Sequence, residues 1–106
     1  MQIVTLQKVK DQAGVTYSSR DNYLTQLANG IEAEIFAYLG ADTKAEVTAS
    51  VPTELSGQAD AILENAVLVC IVPRMRDAMC DIWKGGTLAR MLFPYRVPSI
   101  SGGETA

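Results

Sequence analysis

The sequence predicts a mainly α fold: a small helical bundle of two long helices, the second kinked or split at Pro73, with short terminal helices and a long loop. Three observations carry this. Apolar residues recur every three or four positions in two long stretches, Leu24 to Tyr38 and Ile62 to Ile82, which is the period of a helix and not of a strand. Glycines close the first two helical patterns at Gly14 and Gly40, and Thr5 stands where an N-cap belongs. A chain of 106 residues, 48% hydrophobic and 20% charged, has the composition of one globular domain, placed at 1–98 with a flexible polar tail at 99–106.

Each element follows from its own residues. Thr5 before "LQKVKDQA" starts a short helix that Gly14 stops. Ser18 or Ser19, with Asp21 in the first turn, opens a longer helix whose stripe is Leu24, Leu27, Ile31, Ile35 and Tyr38. Asn29-Gly30 is a hairpin signal by itself, but the stripe keeps its phase across it. One helix is therefore expected, with Gly30 marking a close crossing. Residues 40–57 combine Gly, Pro, Ser and Thr with scattered apolar side chains and read as a long loop, with one strand-like piece at Glu46 to Val51.

From Gln58 to Trp83 the helical pattern returns, with Ile62, Ala66 and Val69 before Pro73 and Met75, Met79 and Ile82 after it. "AVLVCIV", residues 66–72, is apolar on every side and is expected to be the buried centre; its β-branched residues leave a buried strand over 67–72 as the alternative. Pro73 has no N–H to donate and its ring clashes with the Val69 carbonyl, so the helix must kink or split there. Lys84-Gly85-Gly86 breaks the chain, Thr87 caps a last short helix "LARMLF", and Pro94 ends it.

Charge is unevenly divided. The net charge is −3, yet up to Ala66 nine acids face four bases, net −5, while from Val67 onward five bases face three acids, net +2. The C-terminal part is the place for an acidic partner. There is no histidine, which removes the commonest general base and metal ligand and speaks against an enzyme. Cys70 and Cys80 lie ten residues apart. On one helix that is about 15 Å of rise, beyond disulfide reach, so both read as buried thiols in a reducing compartment. No run approaches the ~20 apolar residues of a membrane span, so no membrane partner is expected.

No constellation carries chemistry. Glu32 and Glu34, two apart on a helix, do not face each other and read as a solvated face. Asp77 and Asp81 would share a helical face, with Arg74 and Lys84 near enough to form a surface ion-pair cluster in preference to a metal site. Gly85-Gly86-Thr87 reads as a plain loop rather than an anion site, and Trp83 as core. No cofactor and no metal are expected.

The order of these pieces resembles a known family. "VTLQKVKDQAGVTYSSRDNYLTQLANGIEAEIFAYLG", then "PTELSGQADAILENAVLV" and a closing "ARMLFPYRV", are similar to the head-tail connector proteins of tailed bacteriophages, the small adaptor or head-completion proteins below the portal. The likeness runs from about Ile3 to Val97, and Pro94-Tyr95-Arg96 is its sharpest motif. It implies a structural virion protein: a dodecameric ring on the portal protein, linked below to a stopper or tail-completion protein, with genomic DNA passing through without sequence-specific binding. The site is then the head-tail interface of the virion, reached from the host cytoplasm during assembly. Arg90, Tyr95, Arg96, Arg74 and Arg76 are the implied oligomer or portal interface, since Arg pairs bidentately with carboxylates and Tyr adds rigid apolar area. Tyr95 packing the last helix onto the domain is the competing reading, and Tyr95→Ala with Arg96→Ala is expected to leave the fold intact.

The alternative function is a small helical DNA-binding regulator or packaging subunit. It would need a recognition helix with clustered basic and polar residues after a tight turn, and no segment shows one.

Overall fold

The computed structural model describes residues 1–96, so the predicted tail at 99–106 lies outside the described residues. Five helices follow in order, α1 (Leu6–Ala13), α2 (Asp21–Leu39), α3 (Lys44–Ser50), α4 (Thr53–Arg76) and α5 (Thr87–Leu92), with a 3-10 turn at Phe93–Tyr95. No strand occurs among the described residues. The mainly α expectation holds.

α1 forms as its caps dictate: the Thr5 hydroxyl accepts from the Lys8 N–H, and Gly14 takes the left-handed φ of 73° that ends the helix. α2 begins at Asp21, after an Arg20 cap that offers no side-chain bond, so neither Ser18 nor Ser19 is the cap. It runs unbroken through Gly30 to a left-handed Gly40 at φ 76°. Gly30 is no close crossing, because a Cβ built there would meet nothing within 4 Å. Leu24, Ile31 and Ile35 are buried as the stripe predicts, joined by Ala28, Phe36 and Leu39.

The predicted loop at 40–57 is the main correction. It contains α3, so the strand-like piece is helical from 46 to 50, and only Val51, the helix C-cap, is extended. A capping box nucleates it: Thr43 accepts from the Glu46 N–H while the Glu46 carboxylate accepts from the Thr43 N–H. Only Val47 of α3 is buried, which anchors the helix to the core through one side chain.

α4 starts at Thr53, earlier than Gln58, behind Pro52. It is helical through 67–72 and past Pro73, and ends at Arg76 rather than Trp83. The Asp77 N–H closes the last turn on the Pro73 carbonyl at 3.0 Å. Pro73 lies so near the end that its missing N–H costs the Val69 carbonyl one helical bond and no more. Residues 77–86 form turns. α4 packs against α1, α2, α3 and α5 and is the hub of the fold.

Its apolar segment is not the fully buried centre that 66–72 suggests. Ala66, Val67, Cys70 and Ile71 are buried, but Val69 is 47% exposed and Leu68 and Val72 are half-buried. By length and composition α4 is long and apolar enough to cross a membrane, yet only 33% of its most apolar 18-residue window is buried. The rest of that window is mostly polar or half-buried, so the apolar face that α4 leaves uncovered centres on Val69.

Candidate functional site

That face forms one wall of a cavity of about 440 Å³ closed by the 77–86 turns and α5. Val69, Cys70, Pro73, Ile82, Leu88 and Met91 supply its apolar surface. Helical spacing explains the α4 side: Asn65, Val69 and Pro73 are four apart and lie on one face. Met79, in the turn before Cys80, is 88% exposed and does not belong to the core, contrary to its place in the predicted stripe. Phe93, just past α5, is 64% exposed.

Tyr38 near the end of α2 sets the position of the turns and α5. Its ring lies 4.8 Å from that of Trp83, its hydroxyl donates to the Ala89 carbonyl at 3.0 Å, and the Arg96 guanidinium sits 5.0 Å above it. Trp83 is packed against the core as the sequence suggests. Arg74 adds a second tie, donating to Glu34 at 2.8 Å and to the Cys80 carbonyl at 2.9 Å. The Glu34 hydrogen bond holds the guanidinium in its charged form and raises its pKa.

The five implied interface residues therefore fall into two groups. Arg74 is half-buried and turned inward on Glu34, Tyr95 is buried in the core, and the Arg96 Nε donates to the Tyr38 carbonyl at 3.0 Å. Arg76 and Arg90 are exposed and form no ion pair among the described residues. Burial of Tyr95 bears on one expectation: truncating it would open a core cavity, so the double variant is expected to lose stability as well.

Two other sequence expectations change. Asp77 and Asp81 share no helical face, because α4 has ended; each accepts from a backbone N–H two residues on, Met79 at 3.0 Å and Trp83 at 2.9 Å. Cys70 and Cys80 are not separated along one helix but line the same cavity, and Cys80 is half-buried rather than buried. Burial pushes the Cys70 thiol from an ordinary 9.0 up to about 11. Gly85 and Gly86 adopt left-handed φ of 85° and 75°, a conformation that makes the turn into α5 a glycine requirement.

The sequence hides one organising residue. Glu32, expected on a solvated face, is 4% exposed, and its two oxygens accept the backbone N–H groups of Gln2 at 2.8 Å, Ile3 at 3.0 Å and Val4 at 3.0 Å. Glu34 faces α4 instead, so the two acids do point apart as their spacing requires. The signal for Glu32 was its register: it sits four after Ala28 and three before Ile35, inside the buried stripe.

Searches of this chain against protein-family models, curated proteins and solved structures return no match.

Proposed function

We propose that this chain is a non-catalytic structural subunit that works by assembling, as the head-tail connector proteins it resembles do. One observation carries the reading: at the hub of the fold the 66–72 segment of α4, apolar on every side, leaves Val69 47% exposed beside an apolar cavity. A helical segment apolar on every side belongs in the interior of a larger body. Assembly would supply that interior by covering the α4 face. The division of charge, acidic in front and basic behind, suits a contact between two different patches, which is the kind that closes into a ring.

In this reading the subunit forms a dodecameric ring against the portal protein at the head-tail interface and presents its other side to a stopper or tail-completion protein. Genomic DNA passes without sequence-specific contact. Arg76 and Arg90 are the interface residues, while Arg74, Tyr95 and Arg96 hold the surface in shape from within.

Light scattering over a concentration series, alone and with an isolated portal ring, tests this. A mass that climbs to a closed oligomer, or a chain that joins the portal, supports it. A chain that stays monomeric, ignores the portal and shifts duplex DNA in a salt-sensitive manner overturns it in favour of the regulator.

A further inference from the structure

Among the described residues, four cations are in ion pairs: Lys8 with Glu64, Lys10 with Asp21, Lys44 with Asp60 and Arg74 with Glu34. Four exposed basic side chains are in none; Arg96 donates to the Tyr38 carbonyl, and the other three, Arg76, Lys84 and Arg90, lie on elements that wall the cavity beside α4. Lys84 is part of its lining. Arg76 continues the face of Asn65, Val69 and Pro73, three residues beyond the proline. Arg90 lies one turn of α5 beyond Thr87, which lines the cavity. Two carboxylates stand beside them, Asp81 in the cavity lining and Asp77 next to Arg76, but neither is ion-paired to a cation, and each accepts a backbone N–H, so the rim carries three cations against two acids.

An apolar trough whose rim carries an excess of positive charge matches one kind of occupant. We infer that the α4–α5 groove is a docking site for an acidic amphipathic helix of a partner protein, deepening the assembly reading on which it rests. Helix-in-groove recognition takes apolar anchors at i, i+3, i+4 and i+7. Those anchors would cover Val69 and Met91, and carboxylates flanking them would reach Arg76, Lys84 and Arg90. Desolvated pairs of this kind contribute specificity and hold the register of the docked helix. A second copy meeting the groove with its own groove would set cations against cations, and helices α1, α2 and α3 of its acidic front turn their main apolar residues, Val9, Leu24, Ile31, Ile35 and Val47, into its own core, leaving no stripe of apolar anchors for the trough. Duplex DNA answers the charge but leaves the apolar walls unfilled.

The probe is a fluorescein-labelled synthetic helix of about 18 residues with Leu at i, i+3, i+4 and i+7 and Glu on the flanks. Its counterpart has every Glu replaced by Lys, and a short duplex DNA is the third probe. Fluorescence anisotropy with the full chain is expected to show the Glu helix binding at least about tenfold more tightly than the Lys helix, with affinity falling as salt rises. Lys84→Glu with Arg90→Glu is expected to invert that preference. Val69→Asp is expected to abolish binding of the Glu helix; the site is already half exposed, so an unchanged circular dichroism spectrum certifies the fold.

Equal affinity for the two helices, no binding of either, or preferential binding of the duplex overturns the inference. Self-assembly by light scattering without helix binding sinks the groove and leaves the assembly reading standing. Helix binding by a chain that never assembles supports the groove and sinks that reading instead.

Discussion

The two ends of this molecule treat charge in opposite ways. At the N-terminal end, Glu32 gathers three backbone N–H groups, Gln2 bridges to the start of α3 through Asp42 and Lys44, and Lys8 and Lys10 are paired. At the C-terminal end, Val69 of α4 stands exposed and the exposed cations Arg76, Lys84 and Arg90 form no ion pair among the described residues. Charge closes the first region upon itself, while in the second it is left outward. Stability should therefore be sensitive to polar substitutions at one end, and association to those at the other.

The largest effect expected is at Glu32. Glu32→Ala strands the N–H groups of Ile3 and Val4 inside the fold, and each buried orphan costs 1–3 kcal/mol. A loss of about 4 kcal/mol in urea unfolding is expected, with Glu32→Gln falling between variant and parent. A loss below about 1 kcal/mol would mean that the N-terminal segment is not held by this carboxylate, and the comparison would collapse from that side. Next comes Tyr95→Ala, expected to cost about 3 kcal/mol because it empties a core position. If instead stability is unchanged and assembly fails, Tyr95 belongs to an interface after all.

How far the sequence revealed these regions depended on whether the signal was local. Thr5 and Gly14 bounded α1 correctly, because a cap is decided by the few residues around it. The α2 stripe placed its buried face for the same reason. α3 has a local signal too, the Thr43-Lys44-Ala45-Glu46 capping box, but the Gly, Pro and Ser content around it gives the segment the composition of a loop. Where long-range contacts decide, the sequence was silent or misleading. Nothing near Glu32 announces that residues 2–4 return to it from thirty positions away. Nothing near Arg74 says that its partner is Glu34, forty residues back, rather than Asp77. The end of α4 was misplaced because the apolar period continues by coincidence through Met79, which the fold leaves in solvent.

Of intermediate size is Glu34→Ala. It removes the partner of a guanidinium that also holds the Cys80 carbonyl, so the 77–86 turns loosen and stability falls by about 1–2 kcal/mol. The groove depends on those turns. Weaker binding of the acidic helix probe should accompany the loss, measured by anisotropy beside urea unfolding. A stability loss with the groove's affinity intact would show that Arg74 supports the core alone.

The smallest effect separates two thiols that share one cavity. Cys70 is buried and donates to the Ala66 carbonyl, and its pKa is raised to about 11 by burial, with Arg74 lowering it in part. Its neutral form is favoured by folding, so its contribution is fully present below 9.0 and is lost as pH rises from 9.0 toward 11. At about pH 9.5 the native state should have lost somewhat less than about 1 kcal/mol through this group. Cys70→Ser keeps a donor for Ala66 and does not titrate, so the difference between parent and variant isolates the slope from tyrosines and lysines that titrate nearby. A thiol reagent at neutral pH should modify Cys80 first, since Cys70 carries about a hundredfold less thiolate than a thiol of ordinary pKa and is covered. Modification of Cys70 at an equal rate, or a parent and variant that lose stability in parallel above about pH 9, would mean that α4 opens far more readily at this end. The uncovered face would then extend to residues that the present fold buries.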